Sequence, residues 1–142
     1  AHALGGMVDY HPLGREVGCH QVALAAAAKN DDFFADMPEQ FGAYLTHEQS
    51  VLVPPPGATV LARSEHDAHQ ILRYGPRALS VQFHPEFTAP LMAACIQRRA
   101  ALLAAEGRDV AAMLSGIGPT VQSRRLLHTF VALAQYESSI YS

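Results

Sequence analysis

Residues 78–87 read ALSVQFHPEF. The apolar run 78–83 reads as a buried strand. It stops on His84-Pro85-Glu86, which puts an imidazole and a carboxylate at the strand's carboxyl end. In open α/β sheets that edge is where ligands bind. Pro85 fixes the backbone between the two polar residues and removes a donor. Histidine, with an unperturbed pKa of about 6.5, both takes and gives protons near neutrality. A neighbouring carboxylate can hold its ring in one tautomer and stabilise the cation. The bare tripeptide fits a turn histidine beside a solvated glutamate equally well, so the surrounding sequence has to decide.

Working back from this stretch, HQILRY (69–74) pairs with it across the turn GPR, and ATVLARS (58–64) is a further strand after the proline loop PPPG (54–57). FGAYL (41–45) is a strand ending at Thr46-His47, and VGCHQVAL (17–24) another. Between them Asp31-Asp32 can cap a short helical turn at FFADM. MVDY (7–10) is a short strand candidate, and HPLGRE a turn punctuated by Pro12 and Gly14. The opening AHALGG looks like the last turn of a helix stopped by Gly5-Gly6, so the chain is expected to be a piece of something longer.

Working forward, the character changes. Thr88 caps a helix with Pro90 in its first turn, running through LMAACIQRRAALLAAE to Gly107. Asp109 caps a shorter helix, VAAMLS, ended by Gly116. Pro119 opens a third, in which Leu126, Phe130, Leu133 and Ala134 share a face. The expectation is a sheet segment, then a helical tail, with no internal repeat or domain linker.

Composition narrows the classes. The chain has 142 residues, enough for one core, and a net charge of -3 with histidines neutral. No basic run exceeds Arg98-Arg99 or Arg124-Arg125, so a nucleic-acid footprint is not expected. No apolar stretch is long enough to span a bilayer, and no signal-peptide pattern opens the chain. Cys19 and Cys95 make no disulfide framework, which points to a reducing, cytoplasmic setting.

Several motifs in order now bear on the His-Pro-Glu. ALGGMV, GREVGCHQV, NDDFFADMP, THEQSV, VLVPPPGATVLARSE and finally QFHPEF follow the order of class I, or triad-type, glutamine amidotransferases. The resemblance covers roughly residues 1–90, and the tail resembles stand-alone relatives of the GMP synthetase glutaminase domain. It implies an α/β fold: a flavodoxin-like open mixed sheet with flanking helices, of which this is the C-terminal portion, followed by a helical tail. Residues 1–96 would be the amidotransferase portion and 97–142 a helical extension packed on the same domain.

The resemblance also implies a reaction. A cysteine thiolate attacks the side-chain amide of glutamine, forms a γ-glutamyl thioester and releases ammonia; water then frees glutamate. His84 would be the acid–base residue and Glu86 its orienter. Thr46, His47, Glu48 and Gln49 match the loop that holds the glutamine's α-amino and α-carboxylate groups. No cofactor or metal is implied. A separate ammonia-accepting synthetase is the expected partner, because no GxxxxGK[ST] loop is present. The family's Gly-x-Cys-x-Gly-His-Gln elbow is absent from these residues. The nucleophile is therefore expected upstream of Ala1, and this chain alone is expected to be inactive. Gly18-Cys19-His20-Gln21 echoes the elbow but lacks its second glycine and lies in a strand, and Cys95 reads as a small core residue. His66 and His69, three apart, would fall on opposite faces of a strand and suggest no zinc site. A γ-glutamyl peptidase, or a non-catalytic relative that binds through the same pocket, are the competing readings.

Overall fold

In the computed structural model the backbone of residues 1–140 and the side chains of residues 1–135 are described. The last two residues of the expected extension, 141 and 142, lie outside them. The strands are β1 (Met7–Tyr10), β2 (Glu16–Leu24), β3 (Gln40–His47), β4 (Gln49–Val53), β5 (Thr59–Arg63), β6 (Ile71–Gly75) and β7 (Ala78–Val81). Strands β3-β2-β5-β6-β7 form one antiparallel sheet, and β1 pairs with β4 in a separate ribbon. Pairing between β2 and β3 is the most extensive, running from Glu16↔His47 to Ala23↔Gln40. The short turn 76–77 closes β6 onto β7, with Ile71 opposite Val81.

Period-two alternation gives the sheet two apolar faces. On one, Phe41, Ala43 and Leu45 of β3 join Val22, Leu61, Ile71, Phe83 and Phe34. Leu126, on α4 (Val121–Ile140), closes that side. On the other face Tyr44 and Val17 meet Met92 and Ile96 of α1 (Ala89–Arg98) and Leu103 of α2 (Ala100–Ala105). Met113 and Leu114 of α3 (Val110–Ser115) pack against the same cluster. Helices on both faces of one sheet make this an α/β layer architecture.

The capping expectations hold at three sites: Thr88 accepts from the Leu91 N–H, Asp109 from Ala112, and Asp31 from Phe33. Three readings need revision. The helix expected from 90 to 106 breaks at Arg99, with φ −104° and ψ 10°. No Gly or Pro marks that break. Arg15 pairs with Glu106, and Arg108 donates to the Arg15 carbonyl, so the end of α2 is drawn to the start of β2. The segment 49–53, to which the sequence reading assigned no element, forms β4. The strand expected through Phe83 ends at Val81. Beyond it the Gln82 amide still donates to Gln70 O, and the His84 amide crosses to Tyr44 O on β3, 2.8 Å away.

The loop between α3 and α4 presses against β3. A Cβ on Gly42 would stand 3.1 Å from Pro119 O, so glycine admits the loop at that point. There the Tyr44 hydroxyl donates to Gly118 O at 2.7 Å.

Candidate functional site

The residue that carries His84 is fixed at its backbone before its side chain is considered. The amide bond to Tyr44 O anchors it to β3, and the Phe87 N–H returns to His84 O at 3.3 Å. Thr88 then starts α1. This tight turn brings the side chains of His84 and Glu86 together. Nδ1 of His84 lies 2.7 Å from Glu86 Oε1, with the side chains 37% and 54% exposed. The ring stacks on Phe87 at 4.2 Å with 19° between planes, which limits its rotation. Among the described residues no hydrogen bond engages Nε2. A ring held at Nδ1 by a carboxylate and open at Nε2 is equipped to pass a proton at Nε2.

The expected substrate segment lies alongside. Thr46 and His47 end β3, Glu48 sits at the corner, and Gln49 opens β4. Gln82, two residues before His84, donates to Gln49 O at 2.7 Å, and its Nε2 lies 3.0 Å from His47 Nδ1. The backbone of 46–49 thus borders the strand extension that bears His84. Its charged side chains, however, serve other contacts. Glu48 pairs with Arg15, whose guanidinium also meets Glu106 at 2.8 Å. The Glu106 bond raises the Arg15 pKa against the opposing effect of burial, with Glu48 adding to the rise.

His47 turns inward. Its Nε2 lies 3.1 Å from Oε2 of Glu16, and its Nδ1 lies 3.0 Å from Gln49 O. Glu16 is 2% exposed and heads a polar cluster. Ser64 Oγ donates to Glu16 Oε1, and Gln70 Nε2 to Glu16 Oε2, each at 2.7 Å. Burial alone would raise the Glu16 carboxyl. The bonds from His47 and Ser64, with the charges of His20 and His47, outweigh it and hold the group below the usual carboxylate range. Asp67 is buried in the same cluster, and ligand-type atoms of Glu16, His47 and Asp67 lie within 4.8 Å of one another. Sequence reading missed Glu16, Asp67 and Gln82. The one available signal was a glutamate at the head of the apolar run GREVGCHQV.

Neither thiol hydrogen-bonds to His84 among the described residues. Cys19 faces the helical cluster, its Sγ 4.0 Å from Gly118 O, and Cys95 packs against the same cluster from α1. His66 and His69 belong to the loop after β5 rather than to a strand. The His66 ring lies 4.3 Å from that of His11, tilted by 33°, and His69 Nδ1 meets Val51 O. The turn made by Ser64 and Asp67, closed by Ser64 N to Asp67 O at 2.8 Å, overrides strand alternation here. No described helix is long and apolar enough to cross a membrane.

Residues 1–100 match the family model for Glutamine amidotransferase class-I. A GMP synthase [glutamine-hydrolyzing] of Dehalococcoides mccartyi is 33% identical over 85 residues, which is 60% of this chain and 15% of that protein. Gamma-glutamyl peptidase 5 of Arabidopsis thaliana is 28% identical over 96 residues, 66% of this chain and 38% of that one. The solved structure of a glutamine amidotransferase from Thermotoga maritima superposes with a TM-score of 0.67 at 24% identity, covering 92% of this chain and 55% of that chain. The fold shared with these structures is flavodoxin-like. The chain therefore spans a small part of the curated relatives it matches and just over half of the solved domain.

Proposed function

The chain belongs to the class I glutamine amidotransferase family, and from that premise we propose that it supplies the histidine–glutamate half of a Cys-His-Glu triad. In this reading the complete protein hydrolyses the side-chain amide of glutamine to glutamate and ammonia. The observation that carries it is the 2.7 Å pair of His84 Nδ1 and Glu86 Oε1, with Nε2 open.

His84 Nε2 takes the proton of a cysteine thiol, and the thiolate attacks the amide carbon. The imidazolium then protonates the departing nitrogen, which leaves as ammonia. Nε2 next takes a proton from water, which attacks the γ-glutamyl thioester and frees glutamate, and the proton returns to the thiol. Glu86 keeps the Nδ1 proton in place throughout and stabilises the cation. The nucleophile belongs to polypeptide outside these 142 residues, since they contain no Gly-x-Cys-x-Gly-His-Gln elbow and neither Cys19 nor Cys95 bonds to His84. The segment Thr46, His47, Glu48 and Gln49 holds the glutamine's α-groups, chiefly through its backbone. The charged side chains of His47 and Glu48 are taken up by Glu16 and Arg15. The ammonia goes to a separate synthetase, a reading supported by the GMP synthase relatives. Two free cysteines fit a reducing, cytoplasmic setting.

Cleavage of γ-glutamyl peptides is the second reading, favoured by the similarity to a gamma-glutamyl peptidase. It would use the same His84. The test compares ammonia release from L-glutamine with cleavage of γ-glutamyl peptides by the intact protein and its His84→Ala variant. Glutamine turnover should dominate, and the variant should lose about 10²- to 10⁴-fold. Preferential peptide cleavage would replace the first reading by the second, and unchanged turnover in the variant would reject both.

A further inference from the structure

We propose that Glu16, His47 and Asp67 form a binding site for one divalent transition-metal cation, of the zinc or manganese type, at the junction of β2, β3 and the loop after β5. This site is separate from the His84–Glu86 pair and does not depend on the reaction proposed for it.

Geometry is the first support. One ligand-type atom from each of the three residues lies within 4.8 Å of the other two. His47 Nε2 and Glu16 Oε2 stand 3.1 Å apart. Two ligands each bound at about 2.0–2.2 Å to one tetrahedral ion would stand roughly 3.3–3.6 Å apart, so a few tenths of an ångström of opening between His47 and Glu16 would admit it. An imidazole with two carboxylates is a ligand set that suits such ions.

Unsatisfied atoms are the second support, and they are independent of the spacing. Asp67 is 1% exposed and Gln70 0%. Asp67 Oδ2 and Gln70 Oε1 have no hydrogen-bond partner among the described residues. Buried polar atoms are rarely left in that state. The donors nearby are already used: Ser64 Oγ and Gln70 Nε2 serve Glu16, Gln70 Nε2 also reaches Ser64 Oγ, and the His69 N–H serves Asp67 Oδ1. What the cluster lacks is positive charge. It buries two carboxylates with one imidazole, His47, in contact and the charge of His20 acting beside it, while Arg15, the guanidinium of the adjoining turn, is held by Glu48 and Glu106.

The surroundings fit as well. His47 Nδ1 lies 3.0 Å from Gln49 O, which can accept its proton, and 3.0 Å from Gln82 Nε2, which can only donate to it. Metal binding selects the tautomer that gives the proton to Gln49 O, in which the Nε2 proton now shared with Glu16 is replaced by the ion. Metal-bound histidines are commonly held by such a carbonyl. A cleft of about 560 Å³ lined by Leu13, Glu16, Cys19, His20, Ser64 and His66 gives access from solvent. An ion here would tie β2 to β3 directly beneath Glu48 and Gln49.

The test strips the intact protein of metal with EDTA and titrates it with ZnCl₂ and with MnCl₂ by calorimetry. CoCl₂ is followed by visible absorption. One equivalent should bind per chain, the cobalt spectrum should be that of nitrogen and oxygen ligands, and saturating zinc should raise the unfolding midpoint. Glu16→Gln and Asp67→Asn should each weaken binding at least about tenfold. Asp67→Asn should still fold, because its amide can accept from the His69 N–H and donate to Gln70 Oε1. Absence of saturable binding by all three ions overturns the site. So does a thiolate-to-cobalt charge-transfer band, or an unchanged affinity in a folded Asp67→Asn variant.

Discussion

Two histidine–carboxylate pairs stand among the described residues, and they differ in nearly everything but their chemistry. His84 and Glu86 are two residues apart in sequence, 2.7 Å apart in space, and 37% and 54% exposed. Glu16 and His47 come from two paired strands and lie 3.1 Å apart with the carboxylate side chain 1% exposed. The outer pair commits one ring nitrogen and leaves the other open. The inner pair commits both, to Glu16 on one side and to Gln49 and Gln82 on the other. Solvent and an open ring edge make a pair available for proton transfer; burial with both nitrogens engaged fits the same two residue types for holding strands together, and the proposed ion would take the place of the Nε2–Oε2 contact. An imidazole beside a carboxylate is therefore not a proton-transfer site until its second nitrogen has been followed.

The contrast predicts opposite mutational signatures. Glu16→Ala should be the most damaging for stability, since it strands His47 Nε2, Ser64 Oγ and Gln70 Nε2 in the interior; a loss of about 3–5 kcal/mol is expected in urea unfolding. Glu86→Ala, in the exposed pair, should cost less than about 1 kcal/mol in the same experiment. Equal losses would erase the distinction.

Acid should act on the inner pair next. The folded Glu16 carboxyl titrates below its unfolded value of about 4.3. Its stabilising contribution is then complete above that value and is lost as pH falls through the folded one. Unfolding measured from pH 6 down to pH 2 should show a steeper loss for the wild type than for Glu16→Gln, with the two curves converging at the acid end. Parallel curves would mean that Glu16 is not the linked group.

The smallest stability change sharpens the comparison from the other side. Glu86→Gln should move the unfolding free energy by less than about 1 kcal/mol. Glutamine turnover should nevertheless fall, in kcat more than in KM, because an amide holds the His84 ring but stabilises its cation poorly. A variant with full turnover would reduce Glu86 to a surface residue.

The outer pair lies within three positions of the sequence, but the tripeptide alone fits a surface turn equally well, and it was the order of the motifs around it that singled it out. The strands at 17–24, 41–45 and 78–83 were legible locally, as apolar runs between turn residues. The inner cluster was not. Glu16 meets His47 31 residues away, Ser64 48 away and Gln70 54 away, distances set by strand register and by the turn at Ser64–Asp67. The helix break at Arg99 escaped notice likewise, since no glycine or proline marks it. His47 was singled out as part of the segment 46–49, but the direction of its ring depends on a partner that only the β2–β3 pairing supplies.

Tyr44 has both its ends occupied. Its carbonyl accepts the His84 amide and its phenol grips the loop before α4. The helical tail is thus two bonds removed from the imidazole, with a rigid aromatic ring as the lever between them. A shift of that loop would therefore be passed through Tyr44 to the backbone that sets the imidazole's position.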